Sequence, residues 1–273
     1  MTTTRKTLLS FPVLSETIPV QKKNEKEVRF LSVIDYNRFF KTTTFENKIE
    51  CDETHSSLLA LIVEQLKMDE GSVKKTDNLQ IKQFISEPKN YFVLRYFNDV
   101  MQYGLVSNQP IAINTVVGIY CGYLFLNMFE KSDESRVYDA SAFRAVSINN
   151  IKYSGTIRAL DYGNLTRFAP HLPCPSENIP SLILTANMTL SCTIYNDIPL
   201  VYYKTTRDIK KGDVMGIDYG SGYWNAKPFS PVYLVEHEQN KKIYSFRFNK
   251  ETVSAKSTAL SCPTSVITNF YQY

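Results

Sequence analysis

The residue types that most often carry chemistry are thinly spread in this chain. Three histidines, His55, His171 and His237, stand far apart, and a lone histidine is more often structural than catalytic. Five cysteines, Cys51, Cys121, Cys174, Cys192 and Cys262, form no CxxC pair and have no histidine at ligand spacing, so no metal site is expected. No GxSxG elbow and no cysteine-protease signature supports hydrolysis through a serine or cysteine nucleophile. Neither GxGxxG after a strand nor a GxxxxGK loop is present, which removes the standard phosphate cradles.

The signal lies in four segments, in their order and spacing. The first is YGLVS at 103–107, followed by PIAINTVVGIYCGYL at 110–124. The second is GNLTRFAPH at 163–171. The third, TRDIKKGD at 206–213, reads as a hairpin-like turn in which Gly212 can take positive φ. The fourth, VMGIDYG at 214–220, runs at once into Tyr223 and Trp224. In this order the segments resemble the SET domain, the family of S-adenosylmethionine-dependent protein lysine methyltransferases. The resemblance covers about residues 90 to 225, and its most specific stretch is RDIKKGDVMGIDYGSGYW at 207–224.

The resemblance implies a fold, an activity and a set of residues. The fold class it implies is mostly β with α additions: a SET-type β-clip of small sheets, with a knot-like crossing of the middle and final segments. The activity is transfer of a methyl group from S-adenosyl-L-methionine to a lysine side chain of a protein substrate, with a histone among the candidate targets and no metal. Tyr219 matches the tyrosine of the family's DYG segment and is placed at the reaction centre. For the cofactor the resemblance points to Tyr103, Gly104, Tyr138, Asn164, Arg167, His171 and Trp224. Ile217 stands where many members carry a Phe or Tyr that limits the number of methyls, and Tyr195, Tyr202 and Tyr203 are candidates to line the lysine channel.

Several positions depart from the pattern. The family's asparagine before the histidine is Pro170, which has no side-chain donor, and the Ser and Cys after it are Leu172 and Pro173. The acidic residue after the second glycine of the opening segment is Tyr123. Only Cys262 lies beyond Trp224, so the cysteine-rich zinc module that often follows the domain is missing. The aromatic tail (Phe229, Tyr233, Phe246, Phe248, Phe270, Tyr271, Tyr273) is the candidate for the channel wall that module would supply. These departures leave a second reading open, a SET-fold interaction module with weak or lost cofactor binding.

The elements that must position these residues follow from pattern. Residues 1–50 are rich in Thr, Lys, Asn and Glu and read as a flexible or partly ordered N-terminal arm; residues 51–89 read as a helical cap. In 56–68 the apolar Leu58, Leu59, Ile62, Val63 and Leu66 fall at helical spacing, with Asp52 or Ser56 as the N-cap, and a second helix is expected over 77–86. From 90 to 225 short β-branched and aromatic runs alternate with turn signals, and only 141–146 hints at a helix. Residues 226–273 form an aromatic-rich extension, with a hairpin expected from 231–236 and 242–249.

Composition bounds the partners. With 31 Lys+Arg against 27 Asp+Glu the net charge is +4, too near balance for phosphate contacts to dominate binding, so direct nucleic-acid binding is not expected. No apolar run approaches the roughly 20 residues of a membrane span. The odd, irregular cysteines favour a cytoplasmic or otherwise intracellular reducing compartment, and the lack of nuclear-import clusters fits a microbial protein acting on its own proteins or delivered to a host cell. Tyrosine, at 18 residues beside 16 Phe and a single Trp, is used more freely than packing requires.

Overall fold

Two tight turns set much of the strand pairing. Asn149-Asn150 (φ 50° and 64°) and Asn196-Asp197 (φ 48° and 61°) both hold two consecutive residues in the left-handed region, which a two-residue hairpin of matching twist requires. Asn and Asp tolerate that region because their short polar side chains bond locally. The first turn joins Asp139–Ile148 to Ile151–Arg158, and the second joins Met188–Tyr195 to Ile198–Thr205.

The computed structural model describes residues 4–12, 17–41, 44–69, 75–128, 138–175, 181–225, 231–237 and 242–246. Among them, strands gather in small sheets. A five-stranded sheet runs in the order Arg5–Ser10, Lys48–Asp52, Gly122–Met128, Ile151–Arg158, Asp139–Ile148. A four-stranded sheet runs Arg29–Ser32, Thr17–Gln21, Phe92–Tyr96, Tyr103–Ser107, and a three-stranded sheet runs Met188–Tyr195, Ile198–Thr205, Val116–Ile119. Thr44–Phe45 pairs with Tyr162–Gly163, and Tyr233–Glu236 with Ile243–Phe246. The mostly β architecture of small sheets with helical additions is thus as the sequence implies.

The first 50 residues are more than a partly ordered arm. Lys48–Asp52 pairs in parallel with Gly122–Met128, and Thr17–Gln21 pairs in parallel with Phe92–Tyr96, so this region supplies strands to both larger sheets. Its polar composition hid this, because the buried runs, Ile18 to Val20 and Ile49 to Cys51, are only three residues long and include Pro19 and Glu50. Helices Ser56–Asp69 and Lys75–Ser86 form near the expected bounds. The first buries Leu59, Ile62, Val63 and Leu66, and Asp52 caps the short 3-10 turn Glu53–His55 before it by accepting from the Thr54 N–H at 2.9 Å. The second carries buried Asp77, which accepts from Tyr202 Oη at 2.7 Å and Lys204 Nζ at 2.6 Å. Its Gln80 side chain accepts the Val116 N–H at 3.1 Å, so the helix covers an otherwise open sheet edge.

Residues 141–146 are strand, not helix. Register shifts between Ser141 and Phe143 and between Phe143 and Val146 break the two-residue alternation. Burial then falls on Ala142, Phe143 and Val146, which is the spacing of a helix face.

The feature that builds the site is a threading. On one edge of residues 214–217, the Met215 N–H donates to Leu105 O at 2.9 Å and Val214 bridges Val106. On the other edge, the Ile217 N–H donates to Pro170 O at 3.1 Å and the Leu172 N–H to Ile217 O at 2.9 Å. The final segment therefore passes between the opening and middle segments. Gly216 is required at the crossing, since a Cβ there would lie 2.5 Å from Leu172 Cγ and 2.7 Å from Pro170 O. Leading in, the 206–213 turn holds Gly212 at φ 89°.

Candidate functional site

Tyr219 lies just past the crossing, half-buried, with its hydroxyl turned inward to donate to Ala169 O at 2.7 Å. Its backbone N–H donates to His171 Nδ1 at 3.3 Å. Asp218 organises the turn that follows. Its carboxylate accepts the Gly220 N–H at 2.7 Å and the Cys174 N–H at 3.1 Å, and Oδ1 stands 3.8 Å from His171 Nδ1. Burial alone would raise the Asp218 pKa, but the Gly220 and Cys174 bonds and nearby His171 hold it below the usual carboxylate value. Gly220, at φ 79°, opens the short helix Gly220–Asn225 that carries Tyr223 and Trp224 back over Tyr219.

The result is an aromatic cluster. Trp224 stacks on Tyr219 with ring centroids 6.0 Å apart and planes 14° from parallel, and Tyr223 meets Tyr219 edge-on at 4.9 Å. His171 lies 5.4 Å from Tyr219, 4.9 Å from Trp224 and 6.3 Å from Tyr233. Burial, only partly opposed by Asp218, lowers the His171 pKa to about 4, so the ring is neutral and its Nδ1 is free to accept. Burial, with Tyr223 and Tyr138 beside it, pushes the Tyr219 hydroxyl far above its ordinary value, so it stays protonated.

Behind Tyr219 lie Tyr120 and Tyr203, buried and edge-to-face at 6.2 Å. Burial raises both hydroxyls well above the ordinary tyrosine value, and Tyr219 adds to each shift. Tyr120 donates to Tyr138 O at 2.7 Å, which ties this wall to the residue after the insert. Tyr120 was not singled out from sequence, although it stands inside the opening segment two residues after Gly118; Tyr223 and Asp218 were likewise passed over beside Tyr219 and Trp224. Ile217 is buried under the site, bridged to His171.

The other expected residues divide. Tyr138, at φ 62°, lays its ring 4.2 Å from the Arg167 guanidinium, and Arg167 also stacks on Phe168 at 5.3 Å and donates to Leu160 O at 3.2 Å. Asn164 is committed internally: its Nδ2 donates to Ile119 O at 2.9 Å, and its Oδ1 accepts the Thr166 N–H at 3.2 Å as the cap of Leu165–Phe168. Gly104 is in close contact with Phe97, whose ring would lie 2.2 Å from an added Cβ, so the face left bare by the glycine is covered. Tyr103 packs against Phe40 at 5.1 Å and Tyr96 at 5.5 Å. Tyr195 is not brought to Tyr219. It pairs with Ile198 while Tyr203 pairs with Leu190, and this register puts Tyr195 on the opposite face of the hairpin from Tyr203. Tyr202 shares that opposite face and is engaged with Asp77. Phe229, Phe248, Phe270, Tyr271 and Tyr273 lie outside the described residues.

Chemically, the cluster suits a small cation beside a neutral amine. It offers aromatic faces, the Ala169 carbonyl and a neutral imidazole, while Arg167 is turned to Tyr138, Phe168 and Leu160. Neither a cavity of about 60 Å³ beneath Gly118 and Thr166 nor a cleft of about 350 Å³ along Gln80, Gln83 and Tyr91 includes Tyr219. The site is recognised by its side chains, not by its depth.

Residues 102–220 match the family model described as SET domain. The chain is 28% identical over 132 residues to the histone-lysine N-methyltransferase EHMT1 of Mus musculus; the match spans 48% of this chain and 9% of that relative's length. A solved structure of ATXR5 in complex with methylated histone H3.1 covers 69% of this chain and 86% of its own, at 14% identity and a TM-score of 0.49. The ATXR5 SET domain with methylated histone H3 covers 56% and 71%, at 16% identity and a TM-score of 0.41.

Proposed function

We propose, since residues 102–220 match the SET domain family model, that the protein is a lysine methyltransferase that uses S-adenosylmethionine and acts at Tyr219 on a protein substrate. One observation carries the reading: the Tyr219 hydroxyl gives its only hydrogen to Ala169 O at 2.7 Å, inside a wall of neutral aromatic rings. Its lone pairs are then left facing the site as acceptors.

When bound, S-adenosylmethionine supplies an electrophilic methyl on a positively charged sulfur. Trp224 and His171 would hold it through ring faces, and Tyr138 would border it from the insert side. The target lysine must arrive without its proton, from a free pKa of about 10.4. Burial among Tyr120, Tyr203 and Ile217 disfavours the ammonium form and so helps shed the proton to solvent. Tyr219 Oη and Ala169 O together orient the amine and favour the polarised methyl hydrogens. Tyr219 Oη, Ala169 O and the surrounding rings would align the lysine amine with the methyl the cofactor carries, and that positioning would supply most of the rate. Tyr219 is an orienter here, since its raised pKa rules it out as a base near neutral pH.

A second reading has its own observation. Gly104 is covered by Phe97, Asn164 is spent on its cap, and Pro170 replaces the family asparagine, which together favour an interaction module that binds the cofactor weakly. Titration calorimetry with S-adenosylmethionine, paired with radiolabelled methyl transfer into cell lysate, decides between them. Binding with label in a protein band supports the enzyme; no heat up to millimolar cofactor from folded protein overturns it.

A further inference from the structure

A second group of rings, Phe39, Tyr96 and Tyr103, is partly open to solvent and already holds cations. Phe39 and Tyr96 each meet Tyr103 nearly at right angles, with centroids 5.7 Å and 5.5 Å away and planes at 86° and 78°. Phe39 ends helix Val33–Phe39 and is 39% exposed. The turn after strand Thr17–Gln21 lays two lysines on these rings: Lys22 Nζ is 4.6 Å from the Phe39 centroid, and Lys23 Nζ is 5.5 Å from that of Tyr96. That turn is closed by bonds of its own. The Glu25 N–H donates to Lys22 O at 3.2 Å, Gln21 Nε2 donates to Glu25 O at 3.1 Å and Lys26 O at 3.0 Å, and Asn24 takes φ 63°. The lysine side chains are therefore not needed to hold it. The two seats differ. Lys23 Nζ donates to Asp99 Oδ1 at 2.5 Å, so its N–H groups have an acceptor. Among the described residues the Phe39 face is the recorded contact of Lys22 Nζ, with no carboxylate within 4.0 Å. A ring face attracts charge and offers nothing to an N–H, so the Lys22 seat suits a cation without N–H groups better than a strongly hydrated primary ammonium.

We propose that the corner formed by Phe39 and Tyr103 binds a trimethylated lysine side chain of a protein partner, with Lys22 as an internal stand-in that the partner displaces. A trimethylammonium spreads its charge over methyl groups and makes no hydrogen bonds, so it reaches the ring face at a smaller cost in lost water. The seat is rigid before binding. Phe40 packs on Phe39 at 4.8 Å and on Tyr103 at 5.1 Å, which locks the three rings together. Lys22 itself shows that a lysine stem carries a cation to the ring from solvent. The same quaternary cation occurs on choline headgroups, but the leading segment favours a protein. Strand Arg29–Ser32, which runs into the helix of Phe39, is the end strand of its sheet, and its Phe30 is 67% exposed. It offers main-chain groups and an apolar ring to a flanking peptide. The inference stands apart from the methyl-transfer reading.

The test is an NMR titration of the isotope-labelled full chain with peptides that differ at one residue: acetyl-Gly-Lys-Gly amide, its trimethyllysine form, and a neutral isostere in which tert-butyl replaces the trimethylammonium. The trimethyllysine peptide is expected to shift the resonances of Lys22, Phe39 and Tyr103 and to bind about fivefold more tightly than either of the others, the scale of one cation–ring contact. Lys22→Ala, which removes the stand-in, is expected to tighten that peptide about threefold. A purely structural set of rings would gain nothing from losing a lysine. Phe39→Leu is expected to abolish the shifts at Lys22 and Tyr103 while the resonances of the Tyr219 cluster stay in place. Equal binding of the neutral isostere, shifts confined to residues around Trp224, or no gain in Lys22→Ala overturns the proposal, and the Lys22→Ala arm decides even if Phe39→Leu does not fold. Glycerophosphocholine that shifts Phe39 as strongly as the trimethyllysine peptide assigns the seat to a headgroup and overturns it as well. None of these readouts uses methyl transfer, so failure here leaves the enzyme reading standing, and failure of methyl transfer leaves the seat.

Discussion

His171 accepts the backbone N–H of Tyr219 on Nδ1 at 3.3 Å, which joins the middle and final segments at the point where the proposed chemistry sits. The bond requires an unprotonated Nδ1. Burial supplies it, with a folded pKa of about 4 against about 6.5 in the unfolded chain. The unfolded state therefore binds more protons between those values, so stability present above about pH 6.5 is lost as pH falls toward 4. The expected loss is on the order of 3 kcal/mol. Urea denaturation at a series of pH values checks it, and His171→Gln, which keeps an acceptor but cannot titrate, should flatten that part of the curve.

Removing the Tyr219 hydroxyl isolates its role. Tyr219→Phe keeps the ring on Trp224 and loses the bond to Ala169. Methyl transfer is expected to fall by roughly a hundredfold or more, as when one oriented donor is lost from other enzymes, with S-adenosylhomocysteine affinity little changed. Single-turnover transfer beside calorimetry separates the two effects, and full turnover in the variant would remove Tyr219 from the reaction centre.

Two glycines of the final segment should respond differently to alanine. Gly216→Ala places a Cβ against Leu172 and the Pro170 carbonyl at the crossing, and a loss of about 3 kcal/mol is expected. Gly212→Ala meets nothing within 4 Å, yet its φ of 89° costs about 1 kcal/mol. Thermal denaturation of the pair, read as a difference, tests whether the threading carries this part of the fold.

Pro170→Asn restores the residue of the family pattern. The Pro170 carbonyl that accepts from Ile217 is backbone and survives the change, so the crossing is expected to hold. The added amide is expected to tighten S-adenosylhomocysteine by about tenfold. An unchanged dissociation constant would mean that a side-chain donor at this position does not reach the amino-acid end.

The site was legible in part because it is held by local sequence. Tyr219, His171 and Trp224 stand in two short segments that the resemblance to the SET pattern marks, and the structure brings their rings within 6.0 Å. Tyr120 was missed because nothing local marks one buried tyrosine among 18; its partners, Tyr138 and Tyr203, come from other parts of the chain. Tyr195 is a channel candidate from sequence alongside Tyr202 and Tyr203. Register sends it to the other face, since pairing parity depends on where the two-residue Asn196-Asp197 turn closes.

Pattern alone determined the strand-rich class, the two helices of 51–89 and the order of segments ending in DYG. The first two rest on periodicity and turn chemistry, which act over a few residues, and the third on the resemblance of those segments to the SET pattern. The weaving of the first 50 residues into both larger sheets, the strand at 141–146 and the internal commitment of Asn164 and Gly104 came from contacts between residues far apart in the chain. Parallel pairing and bulges carry no short-range signature. A ring seat such as the one under Lys22 exists only when residues from separate segments, Phe39 and Tyr103, are brought into contact.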